Sequence, residues 1–316
     1  MPSRSGPAVA ASVAIVGAGR IGCVLGKRLH QKGWRIGPVV TRFMRTARTA
    51  TRRIGAGKPQ AGLSEAVLAA DLILIVTPDR VIAETAEALA RIAPAQDSVV
   101  VRRRSESRKK NLGTNTWQGK VVLHTSGALS SDVLRPLAVQ GAAIGSLHPL
   151  QTFSGQTIPS LAGITCAIEG NAAAMRMARR ICRDLGGVSV VLPLRRKAAY
   201  HAAAALAAGH VLAVMEAAVR IMMKAGFSRQ RAVQALLPLT RQTLTNYNEF
   251  GAPAAWTGPL SRGDFGVIER HLEALRGFPR EYRQAYDALS RLGLKVLANG
   301  GGSKKRLLEK TLARIK

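Results

Sequence analysis

The run Gly17-Ala18-Gly19-Arg20-Ile21-Gly22 constrains this chain more than any other feature. It has the spacing GxGxxG. It follows the apolar stretch Ala11–Val16 and opens a helical pattern over Ile21–Lys32, inside a strand–helix–strand unit of about thirty residues. In that setting each glycine has its own task. Gly17 permits the tight turn, Gly19 lets the backbone approach a pyrophosphate, and Gly22 allows close helix–strand packing. The N–H groups and dipole of the helix start then hold the phosphates. Gly17, Gly19, Arg20, Ile21 and Gly22 are therefore candidate cofactor-binding residues.

The next strand pattern, Trp34–Val40, runs into Thr41 and Arg42. An NAD site usually carries an acid there for the ribose 2′-hydroxyl. No Asp or Glu precedes Glu65, whereas residues 1–64 hold twelve Lys or Arg. Arg42, with Thr41 beside it, suits a 2′-phosphate, because charge-assisted contacts of this kind contribute about 1.5–3 kcal/mol. The expected cofactor is NADP (NADPH).

Further strand patterns follow at Asp71–Thr77, Val121–His124, Ala142–Leu147, Ile164–Ile168 and Val188–Leu192, with a helix near 80–92. Alternating strands and helices predict a doubly wound Rossmann-type α/β sheet. Ligands of such sheets sit beyond the carboxyl ends of the strands. That places Thr77 and Pro78 on the cofactor and Ser126 in the same region. Asp79 reads equally as a helix cap. After Pro193 only helical patterns remain, at Arg195–Ala225, Gln230–Tyr247, Gly266–Leu275 and Pro279–Leu294. The expected organisation is a Rossmann-like domain over 1–193, a helical domain over 194–298 and a basic tail over 299–316. A basic insertion spans about 95–118 and is expected to be a surface loop away from the site.

Composition narrows the function classes. The 316 residues carry 47 Lys and Arg against 18 Asp and Glu, a net charge of +29. That favours anionic ligands. The basic residues are scattered and aromatics are only 4%, which argues against specific nucleic-acid binding. Cys23, Cys166 and Cys182 are odd in number and far apart, so they suggest neither a disulfide framework nor a zinc site. No cluster has metal-ligand spacing. A cytoplasmic location is expected. Ala198–Met215 carries no formal charge, but its alanines, His201 and His210 favour a buried helix of a soluble domain over a membrane span.

The segments HTSGALSSDVLRPL (124–137), AAIGSLHPLQTF (142–153), KAAYHAAAALAAGH (197–210) and WTGPLSRGDFGVIERHLEAL (256–275) together resemble one family. Its members are called NADP-dependent oxidoreductases and pair a Rossmann-like domain with a C-terminal helical domain of unknown function. The resemblance extends from about Ser12 to Leu294. The family is similar to ketopantoate reductase, pyrroline-5-carboxylate reductase and 3-hydroxyacid dehydrogenases. The resemblance implies an all-α second domain of the type at the C-terminus of 6-phosphogluconate dehydrogenase. Two departures stand out: the basic stretch 101–110, and Gly209 where many relatives place Asn.

In the dehydrogenase relatives, a helix presents a Lys and, four residues later, an Asn to the substrate. Lys197 and His201 occupy the corresponding positions and share one helix face. Both are candidate catalytic residues, since reduction of a carbonyl or imine needs a proton donor and imidazole suits that task. Ala204, Ala205 and Ala208 continue the face and leave room for a ring or acyl group. His210 should point elsewhere by helical phase. Ser126, His148 and Arg262 are candidate substrate contacts, with Asp264 also readable as a helix N-cap. The implied activity is NADP-dependent oxidoreduction of a small carbonyl, imine or hydroxyacid. The alternative is a non-catalytic NADP-binding regulatory or scaffold protein, to which the change at Gly209 is suited. The expected partners are the small-molecule substrate and a second copy of the chain through the helical domain, with no membrane.

Overall fold

The structure is a computed structural model. It describes residues 11–92 and 116–297, together with Arg306 and Lys310. The basic stretch 101–110 and nearly all of the tail lie outside the described residues. The chain divides into two compact units, Met1–Ala208 and Gly209–Lys316.

The first unit is built on an eight-stranded sheet in the order β3-β2-β1-β4-β5-β6-β7-β8. The strands are β1 (Ser12–Val16), β2 (Arg35–Thr41), β3 (Lys58–Ala61), β4 (Leu72–Ile75), β5 (Val121–His124), β6 (Ala143–Pro149), β7 (Thr165–Gly170) and β8 (Val188–Val191). The first six lie parallel, β7 pairs antiparallel with β6, and β8 is parallel to β7. The helices are α1 (Arg20–Gln31), α2 (Met44–Ile54), α3 (Ile82–Ala90), α4 (Arg135–Ala138), α5 (Ala172–Asp184) and α6 (Lys197–Ala205). The continuous apolar runs became the central strands because both sheet faces are covered. Val13, Ile15, Leu74 and Leu123 pack under Leu25, Ile54 and Ile181 of α1, α2 and α5. Ile73, Ile75 and Val122 pack under Ile82, Leu89 and Leu137 of α3 and α4.

The edge strand β3, of sequence KPQA, was not expected. It has no apolar alternation, and Pro59 is tolerated because an edge strand pairs on one side only. The antiparallel junction has a different requirement. Gly145 lies opposite Gly170. A Cβ on Gly170 would sit 2.5 Å from the Gly145 Cα.

The second unit contains α7 (Val211–Lys224), α8 (Arg229–Ala255), α9 (Pro259–Arg262), α10 (Phe265–Ala274) and α11 (Arg280–Leu297). α8 runs past the expected end at Tyr247 and breaks helical geometry at Gly251, where φ is 77°. A small core gathers Ile268, Leu272 and Leu294 with Trp256, Leu260, Phe265 and Tyr286.

Two expectations change. The compact boundary falls after Ala208 rather than near Leu194, because α6 is packed into the sheet unit through a buried Lys197. The helical pattern over Arg195–Ala225 is one continuous run, but a π turn at Leu206–His210 interrupts it. It was expected to be buried. In fact Leu194–Lys224 has a mean hydropathy of 1.7 over its most apolar window, of which only 6% is buried. Among the described residues it is the one helix long and apolar enough, by length and composition, to cross a membrane.

Candidate active site

The phosphate loop has the geometry its glycines require. Gly17 has φ +87°, and a Cβ there would lie 2.4 Å from Thr77 Cγ2. Gly22 packs helix on strand, since a Cβ would come 2.8 Å from Val76 Cγ2. Gly26 does the same against Ile15 and Ile54 one turn later, a position the motif does not include. At Gly19 a Cβ would meet nothing nearer than the Gly17 carbonyl at 3.8 Å, so the loop faces open space.

Two cavities flank this loop. One, about 520 Å³, is bordered by Gly17, Gly19, Thr41, Arg42, Phe43, Thr46, Thr77 and Pro78. The other, about 460 Å³, is bordered by Gly19, Arg20, Ile21, Thr77, Pro78, Asp79, Ser126, Gly127, His148 and His201. Every sequence-predicted cofactor residue except Gly22 borders one or both, and Gly22 holds the loop from behind. The buried Thr77 hydroxyl has no partner, so an acceptor or donor on a bound ligand would satisfy it. Arg42 stands exposed at the end of β2, and Thr41 Oγ1 donates to the Phe43 carbonyl at 2.8 Å. The residues present fit a dinucleotide carrying a 2′-phosphate.

The chemistry of the second cavity is set by strand alternation. Residues two apart on a strand share a face, so Ser146 and His148 of β6 point to one side and Leu147 to the other. Glu169 is the register partner of Ser146. α6 lies over this face. Lys197 Nζ donates to Ser146 Oγ at 2.6 Å and to Glu169 Oε1 at 3.1 Å. Ser131 donates to Glu169 through N at 2.8 Å and Oγ at 2.7 Å. Burial pushes the Glu169 carboxyl up, but the Ser131, Ser146 and Lys197 donors outweigh it and hold the group below the usual carboxylate range. Burial lowers the Lys197 ammonium, and Glu169 opposes that shift only in part.

Lys197, a candidate catalytic residue from the sequence, is 2% exposed and borders neither cavity. The isolated acid in the apolar strand sequence TCAIEG is the one sequence signal of its partner.

One turn further along α6, His201 reaches the second cavity's wall, with Tyr200 beside it. The Tyr200 hydroxyl lies 2.9 Å from His148 Nδ1. The His148 and His201 rings are 5.7 Å apart, with an interplanar angle of 73°. Gly127 is required between them, since a Cβ there would lie 2.5 Å from His201 Cδ2 and 2.8 Å from His148 Nε2. Burial, helped by the positive charges of His201 and Lys197, drives His148 down to about 4, so it is neutral near pH 7. Ser126 Oγ donates to Asp79 Oδ2 at 2.7 Å and accepts from the Ala128 and Leu129 amides. Its hydroxyl is therefore held in place by its own loop, and Asp79 borders the cavity rather than acting only as a helix-start residue.

His124 is fully buried below. Its Nδ1 accepts from the Ser126 amide at 3.1 Å and its Nε2 lies 3.2 Å from the Ser130 carbonyl, a pattern that fits the neutral ring. Burial drives it, too, down to about 4. As pH falls from 6.5 towards 4, the unfolded chain takes up protons that these folded imidazoles refuse. Stability present above pH 6.5 is lost through that window, by up to about 1.4 kcal/mol per pH unit for each ring. Thermal unfolding followed across pH 7 to 4 should show this decline, and His124→Gln should flatten it.

The remaining candidates lie in the second unit. Arg262 pairs with Asp264, Nε to Oδ2 at 3.0 Å, on an exposed surface. Asp264 occupies the N-cap of α10 but makes no side-chain capping bond, because its carboxylate is drawn to Arg262. His210 lies exposed at the end of the π turn and borders neither cavity. Gly209 has nothing within 4 Å of a Cβ. Among the described residues no group of His, Cys, Asp or Glu could hold a metal.

Comparison with known proteins agrees with this architecture. Residues 5–109 match the Rossmann-like domain family, and residues 164–292 match a domain of unknown function (DUF2520). No curated protein matches. Among solved structures, a Bacteroides fragilis protein proposed to be an NADP oxidoreductase superposes with a TM-score of 0.69 at 22% identity, covering 90% of this chain and 98% of that one. A reductive aminase from Aspergillus terreus, in complex with NADPH and ethyl-5-oxohexanoate, gives 0.62 at 16% identity, covering 96% and 99%. A 1-pyrroline-5-carboxylate reductase from Streptococcus pyogenes gives 0.55 at 14% identity, covering 98% and 99%. The chain therefore carries a Rossmann-like domain followed by the domain of unknown function DUF2520, on a fold it shares with these reductases.

Proposed function

We propose that the protein is an NADP-dependent oxidoreductase that reduces a small carbonyl or imine, or oxidises the corresponding alcohol, hydroxyacid or amine. The observation that carries this is the pair of cavities meeting at the Gly17–Gly22 loop. One leads to Arg42, the other to His148 and His201. NADPH bound there supplies the hydride. Gly17 and Gly19 admit the pyrophosphate, Arg42 holds the 2′-phosphate, and Ser126 and Asp79 border the reacting end. The substrate carbon accepts the hydride, and the electron pair of its double bond moves to oxygen or nitrogen. That atom takes a proton from His201. His148, neutral and hydrogen-bonded to Tyr200, orients the same atom. Lys197 acts by fixing α6 to the sheet. Oxidation of NADPH by a panel of aldehydes, ketones and imines tests the reading. Tight NADPH binding with no turnover of any of them would favour a regulatory role instead.

Arg42→Ala should weaken NADPH binding by roughly ten- to hundredfold, equivalent to about 1.5–3 kcal/mol. NADH binding should barely change. Fluorescence titration of both cofactors measures this, and equal losses would remove Arg42 from the 2′-phosphate.

We also infer that a second copy of the chain covers the apolar surface of the second unit. Leu212 is 70% exposed, Leu239 64% and Phe250 65%, more apolar exposure than a lone globular chain usually keeps. Light scattering should give twice the chain mass, and Leu212→Glu should reduce it to one.

A further inference from the structure

A third cavity, about 590 Å³, lies wholly within the first unit. It shares His148 and His201 with the cavity beside the phosphate loop. Beyond those rings one wall is methyl groups, from Ala204, Ala207 and Ala208 among others, and the rest is uncharged, from Leu150, Gln151, Thr152 and Tyr200. The alanine wall runs from the end of α6 into the π turn over Leu206–His210, where Ala207 and Ala208 continue it.

We propose that this alanine-walled cavity receives the apolar substituent of a neutral carbonyl or imine, so that the substrates are ketones, aldehydes or their imines rather than 2-oxo acids or hydroxyacids. The proposal rests on the oxidoreductase reading above and narrows it. An atom at the junction of the two cavities has imidazoles on one side and an alanine wall with uncharged neighbours beyond it. No residue lining the third cavity carries a formal charge apart from the imidazoles. Lys197, at the start of the same helix, is tied to Glu169 and Ser146. Arg20 borders the phosphate loop, with its stem 3.1 Å from where a Cβ of Gly155 would lie. A substituent carboxylate reaching past the rings into the third cavity would therefore find no counter-charge there. An alkyl chain would lose only water.

The test is a series of straight-chain methyl ketones with the full chain and NADPH. Each is set against the 2-oxo acid of equal length. We expect kcat/KM to rise about fourfold per methylene until the cavity is filled, with every 2-oxo acid slower than its ketone. Ala204→Phe should flatten the series and Ala204→Leu should shorten it, while NADPH affinity stays unchanged in both and reports intact folding. Saturation-transfer NMR of 2-heptanone on the NADP⁺ complex reads the cavity without turnover, and its signal should vanish in Ala204→Phe. A flat ketone series, a preference for 2-oxo acids, or 2-heptanone binding that survives Ala204→Phe would each overturn the proposal. If no carbonyl is reduced but binding of 2-heptanone is lost in Ala204→Phe, the cavity assignment stands and the reductase reading falls.

Discussion

Glu169→Ala should cost about 3–5 kcal/mol of stability, because it leaves the Lys197 ammonium buried without its counter-charge. Lys197 and Glu169 are 2% and 4% exposed, and Ser146 alone would remain as a partner. For a unit of this size the loss corresponds to roughly 6–20 °C in Tm. Lys197→Met alone should be costly as well, since it strands the carboxylate. The double variant Glu169→Ala/Lys197→Met should recover most of the loss, as coupled neighbours are not additive. Calorimetry on the four proteins of this cycle decides the matter. Strictly additive losses would mean that the two charges do not stabilise each other. Because Glu169 is held below its unfolded value, the pair's contribution is present above about pH 4.5 and is lost as pH falls through the folded value.

His201→Ala should lower the rate of the chemical step by roughly 10²–10⁴-fold, the range expected when a general acid is removed. NADPH affinity should be nearly unchanged, because the cofactor's phosphates are held by the loop backbone and Arg42 in the proposed mode and not by the imidazole. His148→Ala should act differently. It removes the ring that Tyr200 bonds, so KM should rise together with a fall in rate, and Tyr200→Phe should reproduce part of the effect. Single-turnover oxidation of bound NADPH by the preferred ketone separates chemistry from release. A His201→Ala rate within a factor of about three of the parent would move the proton donor to the His148–Tyr200 pair.

Much of the fold was legible because its signals are local. The glycines at 17, 19 and 22 answer to backbone geometry within a few residues. The strands at 72–75 and 121–124 are short apolar runs with no competing periodicity. Features requiring contacts between distant residues were not legible. The bond from Lys197 to Glu169 crosses an antiparallel register that no short pattern encodes. The contact of Tyr200 with His148 likewise joins a helix to a strand about fifty residues earlier. β3 lacks apolar alternation because an edge needs none. The π turn at Leu206–His210 left no mark in the sequence, because the helical pattern runs through it unbroken.

Lys197 bolts the start of α6 to the sheet at two points, one on β6 and one on β7. Tyr200 and His201 follow within a single helical turn of that bolt. They are thus mounted on the same frame as the Gly17–Gly22 loop. In the proposed reaction, the alignment between hydride and proton is consequently inherited from one folding unit, and sequence change in the second unit can proceed without retuning it.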